Sequence, residues 1–273
     1  MTTQMKRTAL VTGASSGIGE QLAQLLARDG HDVILVARNE ERLQAKARDM
    51  SLAHSVKAYP LPADLVDPDA VAALPGRVER LGLEVDVLVN NAGFNECGSF
   101  LETDLGNELG IIQAQAAATV ALCKAFVPGM VQRGGGRVMN LGSTGSFIPC
   151  PLDAVYCAAK AFVKSFSEAL DAELAGSGVS VTTLCPGATR TNFAPAAGIE
   201  DSMLFSYGVM RPEAVAKKGV AAMYKGRRVV VAGCHNRLML AFLPLTPRCV
   251  ADWIGKALWR TSGRGMAARG GRS

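Results

Sequence analysis

The chain has 273 residues, 49% of them apolar and 5% aromatic, which suffices for a large core and excludes a chain disordered over most of its length. Its formal charge of +5 arises wholly in residues 248–273, where six basic side chains (Arg248, Lys256, Arg260, Arg264, Arg269, Arg272) accompany one acid, Asp252; the rest is near neutral, with no basic stripe interleaved with aromatics to suit nucleic acid. Seven cysteines without a C-x-x-C pair and three scattered histidines argue against disulfides and zinc, and fit free thiols in a reducing cytosol.

The opening "MTTQMKRTALVTG" enters a strand almost at once and has no apolar run long enough for a signal peptide or a membrane span. Short apolar runs that read as strands follow at 8–12, 32–37, 56–61, 85–90, 137–142, 179–185 and 227–232. Helical patterns lie between them, such as "GEQLAQLLARDG" and "AVYCAAKAFVKSFSEALDAELAG", the latter ended by Gly176 and Gly178. Strand–helix alternation without a repeat or linker predicts one α/β domain over 1–247. Its sheet is doubly wound, mainly parallel and seven-stranded, with helices on both faces.

"TGASSGIGE" follows the first strand directly and spaces Gly13, Gly17 and Gly19 as G-x-x-x-G-x-G, with Ser15, Ser16 and Ile18 between them. Glycine lets backbone approach a phosphate, and the helix that starts here directs free N–H groups at that anion. A tight turn without a ligand gives the same triplet, but its place after the first strand favours a dinucleotide. The second strand ends "LVARNEER", with Arg38 where a carboxylate would bind the ribose of NAD. A guanidinium suits a 2′-phosphate, so NADP(H) is preferred over NAD(H), the alternative being a solvated arginine.

"DAVYCAAK" sets Tyr156 and Lys160 one helical turn apart. A phenol titrates near pH 10, and use at pH 7 calls for roughly 4 kcal/mol of added stabilisation of its anion. A neighbouring ammonium supplies part of that. Ser143, just past the fifth strand, reaches the same carboxyl edge of the sheet as Tyr156.

In this order, "TGASSGIG", "ADL", "NNAG", Ser143, "YCAAK" and "PGATRT" resemble the short-chain dehydrogenase/reductase family over about residues 5–235. The resemblance implies a Rossmann-type fold and reversible NAD(P)-dependent carbonyl reduction or alcohol oxidation. It implies Tyr156 as acid/base, Ser143 on the substrate oxygen, and Lys160 on the nicotinamide ribose. Asp64 and Leu65 are expected at the adenine, and Asn91, Ala92 and Gly93 beside the cofactor. Pro186, Gly187, Thr189 and Thr191 are expected at the nicotinamide, and dimers or tetramers are implied. One departure stands out. The family's asparagine in the long helix, which helps hold a water behind the lysine, is replaced by Gln115. Its amide has the same groups on a longer stem, which leaves the proton relay open.

Residues 190–211 read as a lid whose Phe193, Met203, Leu204, Phe205, Tyr207 and Met210 favour an apolar ketone, aldehyde or acyl-chain carbonyl, with Phe94 and Phe147 adding to the pocket. Many of these side chains could equally cover the protein's own core. In 248–273, Val250, Trp253, Ile254, Ala257 and Leu258 share one helical face ahead of a basic end. That face either packs on protein, the favoured reading, or lies on an anionic membrane. The expectation is a cytoplasmic, oligomeric NADPH-dependent carbonyl reductase. The rivals are an alcohol or hydroxysteroid dehydrogenase working oxidatively and a cofactor-binding regulatory protein with little turnover.

Overall fold

The structure, a computed structural model, describes residues 7–197 and 208–243. Seven strands form one sheet: β1 (Thr8–Thr12), β2 (Asp32–Ala37), β3 (Ala58–Pro62), β4 (Val85–Asn90), β5 (Gly136–Leu141), β6 (Val179–Cys185) and β7 (Val229–Val231). Their order is β3-β2-β1-β4-β5-β6-β7, and every neighbouring pair is parallel. Central strands such as β1 and β6 are Val/Leu/Thr-rich and buried along their length, as a sheet covered on both faces requires. The expected doubly wound α/β architecture is what the chain adopts.

The helices are α1 (Gly17–Arg28), α2 (Glu40–His54), α3 (Pro68–Arg80), α4 (Leu105–Ile112), α5 (Ala118–Gln132), α6 (Ala154–Glu173), α7 (Phe193–Ala197), α8 (Pro212–Tyr224) and α9 (Cys234–Phe242). Two apolar cores result. On one face Leu22 and Leu26 of α1 and Val215, Ala216 and Met223 of α8 close over Val11, Val89 and Met139. On the other, Leu74 of α3 and Leu122 and Met130 of α5 cover Leu10, Leu88 and Val138. The alternation of strand side chains between these cores is the period-two pattern of a buried sheet. The strand order reverses between β1 and β4, and a crevice opens there at the carboxyl ends of the strands.

Three strand limits differ from the sequence reading. β3 begins at Ala58, after Ser55 caps α2 in the left-handed region at φ 56°. β5 is displaced by one residue to Gly136–Leu141, and β7 contracts to Val229–Val231. The helix after "NNAG" is interrupted by a π turn at Gln113–Ala117. The run Leu105–Gln132 is long and apolar enough to cross a membrane, but 61% of its most apolar window is buried inside the fold, as in a core helix. Of the expected lid, the described part holds α7 and a bridge between Thr189 and Met210. Met203, Leu204, Phe205, Tyr207 and the 248–273 segment lie outside the described residues.

Candidate active site

The carboxyl edge of the sheet opens into a cleft of about 720 Å³. Its floor begins at the β1–α1 turn. Gly13 and Gly17 take φ of 66° and 59°, a region where a side chain is strained. A Cβ on Gly19 would run into the Asn91 amide and the Gly13 carbonyl. Ser16 caps α1 without a side-chain hydrogen bond, so the first N–H groups of α1 remain for an anion. Ser15, Ser16 and Ile18 line the cleft with these glycines.

The "NNAG" turn is fastened to this floor by Thr12. Its Oγ1 accepts from the backbone N–H of Asn91 at 2.9 Å and of Ala92 at 3.0 Å, and Asn91 Nδ2 donates to the Thr12 carbonyl at 2.8 Å. Next to it, Asn90 Nδ2 donates to Asn140 Oδ1 at 2.8 Å, and Asn140 Nδ2 donates to Ser167 Oγ at 2.8 Å. This buried polar chain ties β4 through β5 to α6, the helix that bears Tyr156 and Lys160. Neutral buried bonds of this kind contribute about 1 kcal/mol each when made and cost more when one partner is removed.

Ser143 is set by the turn that follows β5. Its Oγ accepts from Gly145 N–H at 3.1 Å, its own N–H donates to Ser146 Oγ at 3.0 Å, and Ser146 Oγ donates to the Lys160 carbonyl at 2.8 Å. The serine turn and α6 are thereby locked together. The Ser143 hydroxyl approaches the Tyr156 phenol closely enough to favour its anion. Lys160 is 6% exposed; its Nζ donates to the Leu141 carbonyl at 2.9 Å and lies 5.6 Å from the centre of the Tyr156 ring.

The electrostatics differ from what the four-residue spacing alone suggests. Burial, with the Asp153 charge as the next cause, pushes the Tyr156 phenol above its ordinary value of 10.0. Burial brings the Lys160 ammonium down from 10.5 to about 8. The closed wall explains the direction: Phe193 of α7 packs on Tyr156 with ring centres 5.6 Å apart, so desolvation outweighs the neighbouring cation.

Gln115 lies in the π turn, 2% exposed, and lines the cleft. Its Nε2 donates to the Phe94 carbonyl at 2.7 Å, and its backbone carbonyl accepts from Thr119 Oγ1 at 2.7 Å. Its Oε1 is buried without a partner. The side chain therefore keeps an unmet acceptor, with one of its two N–H donors engaged by Phe94.

Arg38, Asp64, Leu65 and Gly93 line the cleft, as do Pro186, Gly187, Thr189 and Thr191. Together with the glycine loop, Asn91, Ala92, Ser143, Tyr156, Lys160 and Gln115, every site residue named from the sequence meets in one cavity. Phe94 and Phe193 also line it; Phe147 does not, and packs instead under Lys164, whose Nζ lies 5.0 Å from its ring centre. Met210 is outside the lining too. The sequence reading omitted Arg42, Asn95, Cys150, His235 and Asn236, all of which line the cleft. Arg42 was discoverable, since it stands one turn beyond Arg38 at the start of α2. The others carry no local signal.

A protein-family model described as short chain dehydrogenase matches residues 7–200. A probable oxidoreductase of Mycobacterium tuberculosis, EphD, is 35% identical over 189 residues; the match covers 69% of this chain but 32% of that protein. The chain thus spans about a third of that relative's length. Among solved structures, a short-chain dehydrogenase from Sphingobium yanoikuyae in complex with NADPH superposes with a TM-score of 0.78 at 33% identity, covering 88% of this chain and 94% of that one. A bulky-bulky ketone specific alcohol dehydrogenase from Comamonas testosteroni superposes with a TM-score of 0.74 at 30% identity, covering 88% and 93%.

Proposed function

The chain belongs to the short-chain dehydrogenase/reductase family, and from that premise we propose that it is an NADPH-dependent oxidoreductase reducing a carbonyl to an alcohol. The observation that carries the reading is the convergence of Ser143, Tyr156 and Lys160 on one wall of a cleft whose floor is a glycine turn with no room for side chains. The cleft fits a dinucleotide. Gly13, Gly17 and Gly19 with the open N-terminus of α1 would hold its pyrophosphate. Arg38, assisted by Arg42, would meet a 2′-phosphate through charge-assisted bonds, which favours NADP(H). Asp64 and Leu65 would flank the adenine, and Pro186, Gly187, Thr189 and Thr191 the nicotinamide. When bound, that cofactor supplies the hydride.

The chain's own residues do the rest. Ser143 Oγ–H donates to the substrate oxygen and, with Tyr156, orients the carbonyl. Tyr156 releases its proton to that oxygen as negative charge develops on it. The phenolate left behind is eased by the Lys160 ammonium and the Ser143 hydroxyl. In reduction the neutral phenol is the form that donates; in oxidation the same group accepts the proton as phenolate.

The relatives bear on substrate class. One solved structure holds NADPH and another protein is specific for bulky ketones; by similarity, a bulky, largely apolar carbonyl compound is proposed here. The test is cofactor consumption, measured with NADPH and with NADH against a panel of hydrophobic ketones and aldehydes. Turnover with at least one carbonyl, faster with NADPH, is expected. Tight NADPH binding without consumption across the panel would overturn the reading in favour of a regulatory protein.

A further inference from the structure

The cleft wall beside Tyr156 is mostly apolar and thiol: Ile148, Cys150 and Phe193, packed in one cluster with Cys157. One buried polar side chain interrupts it, with a second beside that one. Asn95, two residues beyond the "NNAG" turn, lines the cleft at 6% exposure, and neither its amide nitrogen nor its amide oxygen has a hydrogen-bond partner. Asp153, 2% exposed, lies close by. The Asn95 amide is near enough to favour the Asp153 carboxylate, but not in a geometry that makes a well-formed bond. One Asp153 oxygen, Oδ2, accepts from Cys157 Sγ at 3.7 Å; Oδ1 has no partner. Asp153 immediately precedes α6 and stands one turn before Tyr156, whose ionisation its charge opposes. Asn95 is thereby placed near the reacting end of the cleft, beside an acid that does not itself line it.

The two side chains have different outlets. Asp153 lines a separate cavity of about 20 Å³, together with Glu96, whose Oε2 is likewise buried without a partner. That space is of the size of one water. Asn95 is not among its walls, and lines the main cleft instead. A buried amide with two donors and one acceptor unmet is unfavourable in an apolar wall until something meets it. A site of this kind rejects ligands that lack the complementary group much more strongly than an apolar pocket rejects an extra methylene.

We infer that Asn95 is a specificity-determining residue that hydrogen-bonds a hydroxyl or second carbonyl oxygen lying close to the reacting carbonyl. The substrate class is then a carbonyl compound with an adjacent oxygen function on an otherwise apolar frame. This rests on the reductase reading above.

The test compares kcat and KM with NADPH for a straight-chain methyl ketone and its α-hydroxy and β-hydroxy analogues. The wild-type chain is expected to prefer one hydroxy ketone by about ten-fold or more in kcat/KM, chiefly through KM. Asn95→Leu, similar in size but without hydrogen bonds, should bring that ratio close to one, and Asn95→Ser should keep part of it. NADPH binding checks that each variant is folded; if Asn95→Leu is not, the wild-type ratio and Asn95→Ser decide. A wild-type ratio near one, or a preference that survives Asn95→Leu, overturns the inference and leaves the reductase reading standing. A wild-type chain that binds NADPH but turns over none of the three, nor any member of the wider carbonyl panel, overturns both.

Discussion

Asp153 is an acid held far from its ordinary behaviour. Burial lifts its carboxyl from 3.8 to about 7, against the smaller opposing effects of Asn95 and Cys157. Between those values the folded chain holds a proton that the unfolded chain has released, so stability falls as pH rises from about 4 to 7 and then levels off. The difference is of the order of 4 kcal/mol. Asp153→Asn, which cannot ionise, is therefore expected to raise Tm relative to wild type at pH 8 and to show little of that gain at pH 4. A gain independent of pH would contradict the assignment. Nothing in the sequence announced this group. "PLDAVY" reads as an ordinary lead-in to a helix, and only the tertiary burial of the side chain beside Cys97, Cys150 and Cys157 makes the acid unusual. Tyr156, Lys160 and Ser143 were legible because their spacing carries the chemistry; the upward displacement of the phenol was not, because it depends on what covers the ring.

Among the elements, the β1–α1 turn has little freedom. Gly19→Ala would set a Cβ against the backbone carbonyl of Gly13 and the Asn91 amide, neither of which is the loose end of a flexible chain. Overpacking of this kind costs about 1–3 kcal/mol, or several degrees in Tm for a chain of this size. The variant is expected to lose that stability and to bind NADPH more weakly, as read by thermal unfolding with and without the cofactor; an unchanged cofactor-dependent rise in Tm would contradict the role given to the turn. Here the sequence was nearly sufficient, since a glycine triplet between a strand and a helix has few physical uses. The π turn at Gln113–Ala117 was not readable. Its residues have ordinary helical propensity, and the irregularity reflects the fit of Gln115 against the Phe94 carbonyl rather than a local breaker.

At the scale of the molecule, α4 and α6 present apolar side chains that the described residues leave exposed. Leu105, Leu109 and Ile112 are 69%, 55% and 43% exposed on one face of α4, and Phe162 of α6 is 46% exposed. α4 packs directly against α6, so these residues belong to one side of the fold. An exposed apolar stripe on adjoining helices suits a second copy of the chain, a symmetric partner that presents the same stripe. The expected outcome is a dimer or larger in sedimentation equilibrium, converted toward monomer by Leu109→Glu; a wild-type monomer at micromolar concentration would contradict it. The architecture as a whole followed from strand–helix alternation. Strand ends were less readable, because β7 stops where its pairing with β6 stops rather than where its apolar run does.

The central claim is that the Tyr156 phenol delivers the proton. The most direct measurement is kcat for NADPH-dependent carbonyl reduction by Tyr156→Phe beside wild type, with NADPH affinity measured in both. kcat is expected to fall by about 10²–10⁴-fold while NADPH binding is kept. A variant that turns over at the wild-type rate would contradict it.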